Sequence, residues 1–347
     1  MSKKRETWID IAKGLGIILV VIGHSGNEFA HHYFFWFHMP LFFILSGHTF
    51  KTLKNKSELL KWIKKRIIQL IVPYMSFGLV ILIGLNLKNI VTAKFSILDF
   101  MKGIFRLAYG GQILSGAFAV FWFITCLLVT QVLFALVTYF FKSTKTQLFI
   151  IGIFYILAHL EIKLLPKLHL PVPWNIDVFL IAIVYFAIGF YLNKNFNIKI
   201  LFKAHNGILV NMFSIVLILA DYNGFYYYSL DMKYHQYTHI ILDLLIPTVM
   251  TMSICIISFW LSKVPKTKFL ANLGITSLPI MYLHFPINIE LEKIIGNYGW
   301  FLFLIIGVSI PVLVNVLFLE RFTITKALFL GDFSKTMLTK TKVKISA

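Results

Sequence analysis

The chain has little charge, few acids and almost no cysteine. Of its 347 residues only 14% are charged, and 14 acids stand against 33 lysines and arginines. A water-soluble domain carries roughly a quarter charged residues, so this shortage, with 59% hydrophobic residues and a mean hydropathy of +0.81, excludes an ordinary soluble protein. The two cysteines, Cys126 and Cys255, both lie in apolar runs. They supply neither a disulfide framework nor a cysteine-rich metal site, and read as small buried hydrophobes. No repeat of 20 to 50 residues is visible, and no connection is long enough to hold a separate soluble domain.

What is present is a series of apolar runs near membrane-spanning length. Ten are found, at about 8–27, 33–50, 67–87, 117–141, 147–161, 176–192, 207–221, 239–261, 272–290 and 299–320. The expected fold is therefore an all-α integral membrane protein, a single bundle of about ten transmembrane helices. Most of the lysines and arginines fall in alternate connections: Lys3 to Arg5, KTLKNKSELLKWIKKR, KSTK, NKNFNIKILFK, SKVPKTK and the stretch from Arg321 onward. By the positive-inside rule this asymmetry predicts cytoplasmic N- and C-termini and accounts for the net charge of +19 without a nucleic-acid partner. A signal peptide is not expected, because Asp10 and Lys13 interrupt the apolar region and no small-residue cleavage site follows.

The stretch KGLGIILVVIGH places Lys13 and His24 eleven residues apart. In a helix that is about 16 Å and almost three whole turns, so both lie on one face, with Asp10 close to the same stripe. Ionisable groups within a membrane are expensive, and they normally face a bundle interior or a water-filled path. Interface snorkelling by Lys13 is the plain alternative. His38 opens the second run, Asp243 lies near the start of the eighth, and His284 lies within the ninth. With the expected topology these approach the depth of His24 at the outer end. At the inner end, Arg66 in KKRIIQLIVPYM is placed to turn inward, where a guanidinium can hold phosphate. No HxxxH or HExxH spacing occurs in the runs, so no metal is expected there.

Six segments in order carry a resemblance to a family: WIDIAKGLGIILVVIGH, FHMPLFFILSG, KKRIIQLIVPY, FWFITCLL, YFAIGFYL and LGITSLPIMYLHFPI. Together they resemble membrane acyltransferase family 3, most closely its fucose 4-O-acetylase-related branch, over roughly residues 7 to 320. Many members carry arginine where this chain has Lys13. The resemblance implies a transmembrane acyltransferase domain at 1–330, followed by a short basic cytoplasmic tail at 331–347. It implies transfer of an acetyl group from cytoplasmic acetyl-CoA, a cosubstrate, to a hydroxyl of a carbohydrate acceptor in the cell envelope. His24 would be the general base, and His38, Asp243 or His284 would orient it or the sugar. Lys13 and Arg66 would hold the donor's phosphates, with Asp10 fixing Lys13. The expected location is the cell membrane, in contact with the lipid bilayer, with room for a homo-oligomer or a polysaccharide-synthesis complex. A transporter or flippase for a glycan or small solute would use the same charged stripe, and a scaffold in an export complex would leave His24 without a role.

Overall fold

A computed structural model describes residues 6–168, 171–196 and 198–333. Helices follow one another as α1 (Thr7–Gly23), α2 (Glu28–Phe35), α3 (His38–Thr49), α4 (Lys56–Val91), α5 (Ile97–Tyr109), α6 (Trp122–Phe140) and α7 (Thr144–Leu168). The second half adds α8 (Phe179–Asn195), α9 (Ala204–Tyr222), α10 (Leu242–Leu261), α11 (Lys268–Ile275), α12 (Ser277–Ile295), α13 (Gly299–Val314) and α14 (Thr323–Leu330). Among the described residues no β-strand occurs, and one isolated antiparallel bridge joins Asp231 to Gln236. The basic tail lies outside the described residues apart from positions 331–333, as do Lys3, Lys4 and Arg5.

Each of the ten apolar runs is helical, yet not every one reaches membrane-spanning length. Among the described residues, seven segments are long and apolar enough: Lys56–Leu87, Gly116–Phe140, Thr144–Ile162, Pro173–Asn195, Ala204–Tyr222, Leu242–Leu261 and Gly299–Leu319. An eighth is gained if Pro265–Ile275 and Ser277–Ile295, bent by 70°, form one span. The shortfall from ten lies in the first two runs. The 17 residues of α1 make about 25 Å and the 12 of α3 about 18 Å, against a hydrocarbon core of about 30 Å. Local chemistry sets these stops. Gly26 takes a positive φ of 76° just after α1, and the Asn27 side chain accepts from the Ala30 amide at 2.8 Å to start α2.

The short helices sit in the centre. In α1, Trp8, Ile11, Ala12, Ile17, Val20 and Val21 are buried, and the helix packs against α2, α3, α10, α11, α12 and α13. In the most apolar 18-residue stretch of Gly116–Phe140, 78% of the residues are buried, against 17% in that of Ala204–Tyr222, so α6 belongs to the core and α9 to the rim. Two close crossings fix the centre. A Cβ on Gly274 would lie 1.8 Å from the Asp10 carbonyl oxygen, and one on Gly14 would lie 2.0 Å from that of Leu270, locking α1 on α11. Gly47 and Gly189 play the same part between α3 and α8, where a Cβ would meet the Phe186 and Ile44 oxygens at 1.8 and 1.9 Å. Small residues permit this backbone approach between membrane helices.

Candidate active site

Lys13, Ile17 and Val20 on one face of α1, with His24 at its C-terminal cap, line a cavity of about 340 Å3. Their spacing of four, three and four residues is that of a single helix stripe, so the cavity follows α1 for about 16 Å. Ser46 of α3, Leu70 of α4 and Ser277 of α12 also contribute to its wall. Met39, Phe42, Phe123, Ile124, Leu127 and Met281 make most of the wall apolar. Lys13 and His24 thus stand along a largely apolar cavity wall.

At the His24 end three histidines meet. The His24 ring centroid is 5.5 Å from that of His284 and 6.4 Å from that of His38. Each holds its Nδ1 at 2.8 Å from the carbonyl oxygen four residues earlier: Val20, Phe34 and Ile280 respectively. A carbonyl only accepts, so in all three Nδ1 carries the proton and Nε2 offers a lone pair. His24 and His38 face the cavity, whereas His284 is fully buried behind them and its Nε2 has no hydrogen-bond partner. The set is chemically suited to take a proton from a hydroxyl entering the cavity, and His24 both lines the cavity and has the other two imidazoles beside it.

Asp243 is not part of this cluster. Its carboxylate, fully buried, turns to α7 and accepts from His159 Nε2 at 3.0 Å and from the His239 amide at 2.8 Å. Tyr185 donates to its carbonyl at 2.6 Å. A buried carboxylate needs a donor close by, and His159 supplies one that α1 does not. Asp243 therefore anchors the start of α10, and it is not among the residues that line the cavity.

Arg66 likewise does not line the cavity. It lies one turn before the lining residue Leu70 on α4, but its guanidinium packs over the Trp62 ring at 5.5 Å and reaches Gln69 Oε1 at 3.4 Å. Lys13 is the cation in the wall at that end. Asp10 is buried in the first turn of α1, where its backbone meets Gly274. Among the tryptophans, Trp122 lines the cavity, Trp36 is a core residue donating to the Tyr228 carbonyl at 2.8 Å, and Trp174 donates to that of Ala108.

One segment was not singled out by sequence. The loop between α9 and α10 brings Asp231, Lys233 and Tyr234 into the wall, opposite His31 of α2. Lys233 is 4% exposed, and its amine donates to the carbonyls of Leu114 at 2.7 Å and Ala119 at 3.0 Å. Burial pushes this ammonium down to about 8, partly offset by Asp231, whose own carboxyl is raised by burial. The signal was present as DMKYHQ, an ionic run in a connection that positive-inside counting treats as neutral.

No curated protein and no solved structure matches the chain. Residues 6–320, which include the α1 stripe, the three histidines and the loop of Lys233, match a family model described as an acyltransferase domain, and the chain therefore belongs to that acyltransferase family.

Proposed function

We propose that this membrane acyltransferase moves an acetyl group from cytoplasmic acetyl-CoA to a hydroxyl of a cell-surface glycan or glycan precursor, with His24 as general base. The observation that carries the reading is the single cavity holding Lys13 and His24 on one face of α1, about three turns apart. Donor and acceptor come from opposite sides of a membrane in such a reaction, and a passage with a cation toward one mouth and a base toward the other suits that division. The basic connections support cytoplasmic termini, which put Lys13 inside and His24 toward the outside, with α1 and α3 counted as spans to reach ten. The opening WIDIAKGLGIILVVIGH is what supports the fucose 4-O-acetylase-related branch.

In this mechanism Lys13 pairs with the donor's phosphate charge at the inner mouth. The apolar wall of Met39, Phe42 and Leu127 excludes water from the thioester arm. His24 Nε2 takes the proton of the acceptor hydroxyl as its oxygen bonds to the thioester carbonyl carbon. When the carbon–sulfur bond breaks, the imidazolium returns that proton to the departing thiolate. His38 and His284 hold the His24 ring between them, and Nδ1–H to Val20 fixes the tautomer. The experiment is mass spectrometry of surface glycans from cells with and without the gene. Loss of an acetyl mass on deletion, regained on complementation, supports the reading, and identical glycan profiles in both strains reject it.

A further inference from the structure

Beyond the cavity, three segments far apart in sequence converge on a second ionisable cluster. Glu161 near the end of α7, Asp177 just before α8 and His235 in the loop between α9 and α10 each offer one ligand atom, and these atoms lie within 4.8 Å of one another. His235 Nε2 is 3.1 Å from Asp177 Oδ2 and 3.7 Å from Glu161 Oε1. The three side chains are only 11%, 7% and 14% exposed.

Charge and geometry both ask for a cation between them. With both carboxylates ionised and the imidazole neutral, the set would carry two negative charges in a nearly buried place, and a divalent ion would neutralise them. Ligand atoms held tetrahedrally at 2.0–2.1 Å from such an ion stand about 3.3 Å apart, and the two observed separations fall on either side of that value. His235 Nε2 and Glu161 Oε2 are buried without a hydrogen-bond partner, so the short approach to Asp177 is not a hydrogen bond in direction. Asn175, in the turn that carries Asp177, is fully buried with both amide atoms unpartnered. On the far side of the ring, Nδ1 is 2.8 Å from the Gln112 amide. The same Gln112 nitrogen donates to the Lys233 carbonyl at 3.1 Å, so an ion on Nε2, which places the proton on Nδ1, requires Gln112 to give up that bond and turn its oxygen to the ring, the usual outer partner of a metal-bound histidine.

We propose that Glu161, Asp177 and His235 bind a divalent ion of the zinc or manganese class, with water completing its shell. One imidazole with two carboxylates suits those ions better than magnesium or calcium, which prefer oxygen alone. The ion clasps the loop between α9 and α10 to α7 and α8. His235 is two residues beyond Lys233, which lines the cavity, so the clasp holds one wall of the site in place. HxxxH spacing, which occurs in HQYTH at 235–239, finds His235 but not its two carboxylate partners, because the ligands share no helix.

The test uses the full chain purified in detergent without added metal or chelator. Zinc and manganese are measured by mass spectrometry of the elements, and thermal unfolding is followed with EDTA and after adding back ZnCl2 or MnCl2. About one equivalent of ion per chain is expected, with a midpoint that EDTA lowers and one of the two salts restores, because an ion that binds only the folded state stabilises it. Glu161→Gln and Asp177→Asn, which keep side-chain shape, and His235→Ala should each lose the ion and the EDTA response. Wild type with no bound ion and no response to either salt would assign the cluster to a shared proton and overturn the proposal. Full metal content in Glu161→Gln and Asp177→Asn would overturn it as well, by placing the ion elsewhere.

Discussion

Substituting Gly274 by alanine should displace the helix that carries Lys13 and His24. An alanine Cβ at 274 falls 1.8 Å from the Asp10 carbonyl oxygen and 2.7 Å from its carbon. A carbon and a carbonyl oxygen in contact stand about 3.3–3.6 Å apart, so α1 and α11 must part by about 1.5 Å. Both sides of the clash are main chain, and no rotamer change relieves it. Overpacking of this kind costs about 1–3 kcal/mol, more than the roughly 0.5–1 kcal/mol that alanine gains over glycine within a helix. A misplacement of about 1 Å can reduce turnover by about 10²-fold. Thermal unfolding in detergent and acetyl transfer are measured on the same preparation. Gly152→Ala in α7 is the control, since nothing lies within 4 Å of its added Cβ, and it should keep both stability and turnover. A Gly274→Ala protein with the stability and turnover of wild type would refute the packing argument.

Three other outcomes are expected. Lys13→Ala should weaken acetyl-CoA binding by about 10 to 100-fold, the worth of a charged hydrogen bond of about 1.5–3 kcal/mol, and by more than Arg66→Ala, whose side chain rests on Trp62 and Gln69; calorimetric titration giving the reverse order would remove Lys13 from the donor site. A cysteine at Asn27 should react with an impermeant thiol reagent in intact cells while one at Lys56 does not, against a low background because Cys126 and Cys255 are both buried; labelling at Lys56 alone would invert the topology. Because Lys233 is held down to about 8 against an ordinary 10.5, the unfolded chain binds the extra proton between those values, so this group's contribution to stability rises with pH through that window; wild type should gain stability relative to Lys233→Met from pH 8 to 10, and parallel pH profiles would contradict the burial of the charge.

Helix order and the α1 stripe were legible in the sequence because both rest on local periodicity. Lys13, Ile17, Val20 and His24 share a face whatever surrounds them, and the cavity wall follows that face. Span length was less legible. The second run reads as continuous apolar sequence, but Phe37 interrupts it with φ −148° and ψ −9°, leaving α2 and α3 as separate short helices. Partner choice among ionisable residues was not legible at all. Asp243 shares the polar end of its run with no residue of α1, and its true partner, His159, lies 84 positions away. The same holds for Lys233, whose acceptors are backbone carbonyls of Leu114 and Ala119 that carry no sequence signal. Arg66 lies outside the cavity wall for a related reason, since stacking on Trp62 of the same helix competes with the inward direction that its position allows.

The central claim is that His24 takes the acceptor's proton, and His24→Gln tests it most directly. Glutamine hydrogen-bonds from the same place but takes up no proton near neutral pH. Turnover is measured on purified protein with acetyl-CoA and a glycan acceptor, beside donor affinity and thermal stability. The account predicts a folded, donor-binding variant whose transfer falls by about 10² to 10⁴, as far as in His24→Ala. A well-folded His24→Gln protein that keeps roughly a tenth or more of wild-type turnover, well above what loss of a positioned base allows, would contradict it.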